Sequence, residues 1–208
     1  MSAKEAAVAG KKAEAKSEPV PVVLSRRQEE DFTPAHYMDA EGNPRPGAPS
    51  YRLAPLTLRQ RNAITEAMVR QGIRAPKWAV RAKAVARAFE RMGRPDDAAA
   101  AAAVLSKFRA STATGHDLLD LAMLEEEAAA DPDLAALLAD GERARLEQDL
   151  RYATAALRGW SNVPAEYERD AQGRATEAAL DALPPSDLEA IGQRAYALAH
   201  LGEAAGNS

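Results

Sequence analysis

The stretch from Leu146 to Trp160 reads LEQDLRYATAALRGW, and its pattern decides how the rest of the chain is interpreted. Its apolar residues recur at alternating steps of four and three, which places them on one side of an α-helix. They are Leu146, Leu150, Ala153, Leu157 and Trp160. The other faces are charged or polar, so this helix is amphipathic and needs a partner surface. We expect Gly159 to end it in a left-handed cap, with Trp160 at the exit as a core residue.

The composition favours helices and excludes several classes of protein. Hydrophobic residues make up 46% of the 208 residues but aromatic residues only 5%, so the apolar content is mostly alanine and leucine. There is no cysteine, which excludes disulfides, thiolate zinc sites and cysteine nucleophiles. The formal net charge of −4 argues against a general nucleic-acid-binding protein. No apolar run is long enough for a membrane helix and no signal peptide is recognisable, so we expect a soluble cytoplasmic protein.

The N-terminal quarter holds few residues that could form a core. Residues 1–19 are mainly Ala, Lys, Glu and Ser, and we predict a disordered tail. Residues 20–56 are rich in proline and glycine and are predicted to be an extended or loop arm. Within this arm only Val20–Leu24 and Tyr51–Leu53 are candidates for short extended segments.

Helix start and stop signals follow one another after this arm. Thr57 and Gln60 have the spacing of a capping box, and Pro76 and Pro95 are placed as first-turn prolines. Asp131 is followed by a proline and is predicted to cap the next helix. Further along, Gly141 either divides two helices or kinks one.

The C-terminal part has the same kinds of signal. Thr176 is predicted to cap a short helix, and Ser186 with Glu189 has the spacing of a second capping box. The whole pattern predicts an all-α fold, an irregular bundle of five to seven helices, with the bundle in residues 57–160 and a C-terminal loop and final helices in residues 161–208. From the four-three spacing we expect four residues in the core: Trp78, Phe89, Leu150 and Leu157.

Basic and acidic residues are concentrated in different helices. The segment from Arg70 to Arg94 is mostly basic, and the segment from Asp117 to Asp149 is mostly acidic. The basic segment could face nucleic acid or an acidic partner, or the two segments could face each other or simply solvate their helices. We favour the interpretation in which the two segments face each other or solvate their helices, and nucleic acid is disfavoured because the acidic segment would repel phosphate nearby.

No motif indicates an enzyme. His36, His116 and His200 lie far apart and none has a second ligand at a recognised metal-site spacing. Asp117 is better explained as a helix-capping residue than as a catalytic one. The sequence has no phosphate-binding loop, nucleophile elbow or dinucleotide fingerprint. We therefore expect no catalytic residues, no cofactor and no metal.

Two regions of the chain together resemble the tail assembly chaperones of long-tailed, siphovirus-like bacteriophages. The first is Tyr51–Thr57, an extended segment that leads into a charged helix. The second begins with a helix ending at Trp160-Ser161-Asn162-Val163, continues through a turn at residues 170–173, and finishes with a helix over residues 186–200. Between Gly173 and Leu180 the chain departs from the family pattern, because it is alanine-rich there.

The resemblance implies a non-enzymatic role in the cytoplasm of the host cell. Such chaperones bind the long helical tape measure protein and prevent its aggregation until tail tube subunits replace them. The implied partners are the tape measure protein and the tail tube protein, and self-association is left open. Another virion or morphogenesis protein and a helical adaptor without catalytic activity are the alternatives. The residues implied in partner binding are Trp160, Val163, Leu188, Ile191, Ala195 and Leu198. The four of them on the final helix, from Leu188 to Leu198, are expected to be only partly covered.

Overall fold

The computed structural model of the chain describes residues 29–204, with the side chains of residues 29–200. This part of the chain holds seven α-helices and one small antiparallel sheet, so the predicted mostly helical fold is confirmed. The predicted disordered tail, residues 1–19, and the segment Val20–Leu24 lie outside the described residues. The elements, in chain order, are β1 (Glu30–Phe32), a 3₁₀ turn (Ala35–Tyr37), β2 (Ser50–Leu53), α1 (Leu58–Arg70), α2 (Trp78–Arg91), α3 (Pro95–Arg109), α4 (Gly115–Glu127), α5 (Pro132–Ala156), β3 (Leu157–Ser161), α6 (Glu177–Asp181) and α7 (Pro185–Ala204).

Most helices begin where the sequence places a capping residue. The backbone N–H of Thr57 donates to Gln60 Oε1 at 2.9 Å, and the Thr57 hydroxyl accepts from the Gln60 N–H, which completes the predicted capping box. Asp131 accepts from the N–H of Leu134 at 3.0 Å at the start of α5. Thr176 caps α6 as predicted. These side chains satisfy N–H groups that have no partner inside their own helices.

Two predicted helix starts are wrong. Helix α2 begins at Trp78, so Pro76 precedes the helix instead of lying in its first turn. Helix α7 begins at Pro185, one residue before Ser186, so Ser186 is not its cap. A proline suits the first helical position because its missing N–H would have no helical partner there, and the tandem proline thus sets the start of α7.

The predicted helix over Leu146–Trp160 is wrong in its last four residues, 157–160. Helix α5 passes through Gly141 unbroken and ends at Ala156, where the backbone turns into strand β3. Gly159 is therefore a strand residue and not a helix cap, and Trp160 lies in a strand. The physical reason is that strand β2 offers unpaired backbone groups, and pairing with them satisfies the N–H and C=O groups of residues 157–161.

The sheet has the order β1-β2-β3, with both pairs antiparallel, so β2 is central. Tyr51 is opposite Trp160, and Arg52 is opposite Gly159. Leu53 is opposite Leu157, and the resulting shift in register leaves Arg158 as the extra residue of a β-bulge. The arm therefore contributes two strands, β2 at the predicted segment Tyr51–Leu53 and β1, which was not predicted, and they join β3 in one sheet.

The first hydrophobic core lies between α2, α3, α4 and the start of α5. Phe89 and Leu121 are fully buried in it, and Leu134 from α5 closes it. Phe89 is thus a core residue as predicted. Trp78 is not, since it is 43% exposed on α2 and stacks on Phe108 with 6.4 Å between ring centroids.

The second hydrophobic core joins the sheet to the end of α5 and to α6 and α7. Tyr51, Leu53, Leu157 and Ile191 are fully buried in it. Leu157 is thus a core residue as predicted, whereas Leu150 is 40% exposed, and its predicted core position is wrong. This core unites residues from three of the segments into which the sequence was divided, 20–56, 57–160 and 161–208.

Helices α5 and α7 approach each other closely at Gly192. A Cβ atom added to Gly192 would overlap the backbone of Asp149, so only glycine fits at this crossing. The Asp149 carboxyl is buried at the same interface and accepts from Arg145 Nη1 at 3.1 Å. Arg145 also donates to Glu189 on α7 at 2.7 Å, which links the two helices.

Burial raises the pKa of Asp149 to about 6, and Arg145 offsets only part of this effect. In an unfolded chain an aspartate titrates near pH 4 (about 3.9). As the pH rises from about 4 to 6, the unfolded chain therefore loses this proton before the folded protein does, and the contribution of Asp149 to folding stability falls.

Replacing Asp149 by asparagine should remove this pH-dependent loss. We expect the free energy of unfolding of Asp149→Asn, minus that of the original protein, to increase between about pH 4 and pH 7. Urea unfolding at a series of pH values measures the difference. Asp140→Asn removes an exposed carboxyl from the same helix and serves as the control for loss of a charge. If the difference in free energy of unfolding stays constant or decreases between about pH 4 and pH 7, the raised pKa of Asp149 is contradicted.

A methyl group at Gly192 should separate α5 from α7. Gly192→Ala should lower the free energy of unfolding by about 1–3 kcal/mol or more, because the neighbouring atoms are backbone and cannot move aside like a side chain. Gly115→Ala is the matched control, since a Cβ there meets nothing within 4 Å. Equal unfolding midpoints for the two variants would show that the helices tolerate a wider separation.

The sequence treats Leu150 and Leu157 alike, but the structure buries only Leu157. Phe89→Ala and Leu157→Ala should each cost roughly 2–5 kcal/mol of stability through lost burial and a cavity. Leu150→Ala should cost much less, because that side chain is 40% exposed. Chemical denaturation of the three variants tests this order, and a Leu150→Ala cost as large as that of Leu157→Ala would refute it.

Candidate partner-binding surfaces

The structure brings most of the residues implied in partner binding into the second hydrophobic core. Ile191 is fully buried and Ala195 is 1% exposed, so the expectation that they would be only partly covered is wrong. Ile191 lies in the second core, and Ala195 lies in a small third core with Leu56, Tyr152 and Ala156. The other four are partly buried against the second core: Trp160, Val163, Leu188 and Leu198.

Trp160 holds the loop that follows β3 against the sheet. Its indole Nε1–H donates to the carbonyl of Ala165 at 2.7 Å. Its ring meets the Tyr167 ring edge-on, with centroids 4.9 Å apart, and the Tyr167 hydroxyl donates to the carbonyl of Leu157 at 2.9 Å. Val163 packs against the core beneath this loop. These contacts give Trp160 a structural role in the described part of the chain.

A buried carboxylate fastens the arm to the start of α7. Asp187 is 1% exposed and accepts hydrogen bonds from His36 Nε2 at 2.8 Å, from Tyr37 at 3.3 Å, and from the Tyr51 hydroxyl. Burial, followed by the hydrogen bond to Asp187 and the negative charge of Asp187, raises the pKa of Tyr51, so the phenol keeps its proton and remains a donor. The His36–Asp187 pair thus belongs to a hydrogen-bonded anchor, which the sequence did not predict because the residues are far apart in the chain.

The basic and acidic segments face each other, which confirms the favoured interpretation of the charge distribution. The guanidinium of Arg91 binds both carboxylate oxygens of Asp131 at 2.6 and 2.7 Å. These hydrogen bonds lower the pKa of Asp131 to about 2. Arg81 is paired with Glu125 in the same way, with 2.6 Å between Nε and Oε1. The pairs neutralise two of the four basic residues of α2.

An open apolar groove lies between α3 and α4. Its volume is about 400 Å³. Alanine side chains, including Ala100 and Ala103, form a low wall on α3, and Met123 forms the wall on α4 with 63% of its surface exposed. Leu119 precedes Met123 by one helical turn and is 64% exposed. Exposed apolar residues that adjoin one another in this way are typical of interaction surfaces.

Ion pairs close both ends of this groove. At one end Lys107 of α3 binds the Asp117 carboxylate at the start of α4. At the other end Arg94, just before α3, binds Glu127 at the end of α4 at 2.7 Å. The two helices therefore run antiparallel, and the pairs hold them at a fixed separation. Hydrogen bonds from Lys107 and from Thr114 hold the pKa of Asp117 well below its usual range, and Asp117 completes the capping box of α4.

A second apolar surface runs along α5. Leu146 and Leu150 are both partly exposed and, with Ala139, border a depression of about 440 Å³. Their side chains belong to the stripe that the sequence assigned to the core. The two ends of the stripe differ. Ala153 and Leu157 are covered by the sheet and α7, whereas Leu146 and Leu150 remain exposed in the described part of the chain.

The sequence held a signal for the α3–α4 groove. The run of alanines from Ala98 to Ala103 predicts a helix with a low surface, and Leu119 and Met123 are apolar residues outside the buried stripe of α4. What the sequence lacked was the information that these two surfaces adjoin. That juxtaposition comes from the pairing of α3 with α4.

Within residues 29–204 no group of three or more His, Asp or Glu side chains is arranged to hold a metal ion. In the same part of the chain no helix has the length and apolar character required to span a bilayer. No protein-family model matches the chain, and no curated protein and no solved structure matches it either.

Proposed function

We propose that the protein is a tail assembly chaperone of a long-tailed bacteriophage, which binds a helical segment of the tape measure protein in the host cytoplasm before the tail tube polymerises. It acts by binding and not by catalysis. The observation that carries the proposal is the open apolar groove between α3 and α4, with Met123 exposed along it and Leu119 exposed one helical turn before Met123. The tape measure protein is long and helical in the family that the chain resembles.

The groove has the properties of a receptor for an amphipathic helix. Ala100 and Lys107 are separated by about 10 Å along α3, which corresponds to two turns of a bound helix. The alanine wall permits close approach of a partner backbone, and the unbranched side chain of Met123 adapts to partner residues of different shape. Because Lys107 and Arg94 already have carboxylate partners, binding need not desolvate an unpaired charge at either end.

The two regions that carry the resemblance support the proposal in a second way. Tyr51–Leu53 and Leu157–Ser161 are adjacent strands of one sheet, and α7 packs beneath them. The pattern found in separate parts of the sequence therefore belongs to one folded unit. This unit positions the helices that form the groove through α5, which is common to both cores.

Capture of a co-expressed tape measure fragment tests the function. Leu119→Ser with Met123→Ser should weaken capture by about tenfold or more, because serine cannot make the apolar contacts that Leu119 and Met123 would make with the partner helix. Leu58→Ser with Val69→Ser is the matched control: it removes two exposed apolar side chains from α1, outside the groove. Helical circular dichroism establishes that both double variants are folded.

A third variant fills the groove without adding charge. Ala103→Leu should also abolish capture, because the larger side chain occupies the space of the partner helix, while leucine preserves helix propensity. Failure of the unmodified protein to bind any tape measure fragment would contradict the chaperone proposal. Normal capture by both groove variants would instead show that a different surface binds, and the exposed leucines of α5 would be the next to test.

A further inference from the structure

The outer face of the sheet carries an open cavity of about 310 Å³, separate from the α3–α4 groove. Three arginines line it: Arg52 in the central strand, Arg158 at the bulge of β3, and Arg169 in the loop that follows. The carboxylate in the lining is Asp31, which lies opposite Arg52 in β1. Three cations thus meet one anion in a protein whose overall formal charge is −4.

The arginines of the cavity are only weakly neutralised. Arg52 and Asp31 are 3.5 Å apart and both are more than half exposed, so solvent screens this pair. Arg158 donates to the carbonyl of Leu157 at 2.9 Å, and among the side chains of residues 29–200 it has no carboxylate partner. Arg169 lies over the Tyr167 ring, 5.4 Å from its centroid, and in the described chain it too lacks a carboxylate partner. Guanidinium groups of this kind retain donors for an incoming anion.

Aromatic groups and a glycine give the cavity its shape. Tyr167 lies across Gly159, whose missing side chain leaves the ring 4.0 Å from the position that a Cβ would take. Burial raises the pKa of Tyr167, and the nearby charges of Arg158 and Arg169 act in the opposite direction. The phenol is held by its hydrogen bond to Leu157, and Trp160 lines the same cavity. The walls are thus supported by contacts to the sheet.

We propose that this cavity is a binding site for an acidic peptide segment, whose Asp or Glu carboxylates pair with Arg52, Arg158 and Arg169. Guanidinium groups bind carboxylates through paired N–H donors, and three of them in one cavity suit a segment with several adjacent acids. This site is independent of the α3–α4 groove and of the tape measure protein, so its test does not depend on the proposed function.

The surrounding charges favour a short acidic peptide over nucleic acid. Glu166 and Glu168 are exposed and alternate with Tyr167 and Arg169 along the loop, and Asp170 follows. A nucleic-acid strand extends its regularly spaced phosphates well beyond a cavity of this size and would meet these carboxylates. A short peptide can place its acids in the cavity and neutral residues beside the loop.

The probe is hexaglutamate, with binding measured by calorimetry on the full chain. The chain has two tryptophans, so a Trp78→Phe background leaves Trp160 as the reporter of the cavity. We expect binding that weakens with added salt and changes the Trp160 fluorescence. Arg52→Ala and Arg169→Ala should each weaken it by about tenfold. Arg143→Ala, which removes an exposed arginine from α5, is the matched control and should bind normally.

Two variants at separate cavity positions keep the test decisive if one of them is unstable, and circular dichroism checks the fold of each. The absence of hexaglutamate binding at millimolar concentration would overturn the proposal. So would binding that is equal in the cavity variants and in Arg143→Ala. Inorganic phosphate and a hexathymidylate strand are run in parallel. If either binds with the same arginine dependence while hexaglutamate does not, the site takes phosphoryl groups and the acidic-peptide assignment is wrong.

Discussion

The buried carboxylate of Asp187 is the interaction on which the arrangement of the C-terminal half depends. A fully buried charge is tolerated only when hydrogen bonds replace its lost hydration. His36, Tyr37 and Tyr51 supply these hydrogen bonds. Because the donors come from the arm and the acceptor from the start of α7, this requirement fixes the arm against the last helix. Tyr51 in turn belongs to the central strand, so the same anchor positions the sheet on α7.

Helix α5 transmits this arrangement to the rest of the molecule. Its first turn closes the core formed by α2, α3 and α4, through Leu134, and its last turns contribute Ala153 and Ala156 to the cores beneath the sheet. A continuous helix keeps the two cores in a fixed relation, since its backbone hydrogen bonds resist bending. The close crossing at Gly192 and the link from Arg145 to Glu189 then hold α7 along it.

The distribution of charge and apolar surface follows from which faces these contacts use. Two of the four basic residues of α2, Arg81 and Arg91, are paired with Glu125 of α4 and with Asp131, the capping residue of α5. The alanines of α3 leave a groove open beside α4, because small side chains cannot reach the neighbouring helix over its whole length. The cavity on the sheet holds three arginines, and Asp31 is the one acid in its lining. Each candidate binding surface is thus a face that the anchoring contacts leave uncovered.

The sequence by itself determined the features that depend on neighbouring residues. The capping residues Thr57, Asp131 and Thr176, the dominance of helices, and the burial of Phe89 follow from local hydrogen bonds and from helical spacing. Only the tertiary structure decided that residues 157–161 form a strand, because their pattern fits a helix until β2 supplies backbone partners. It also decided that Ile191 and Ala195 are buried while Leu146 and Leu150 are exposed. Periodicity shows that apolar residues share a face, but whether that face is covered depends on elements distant in the chain.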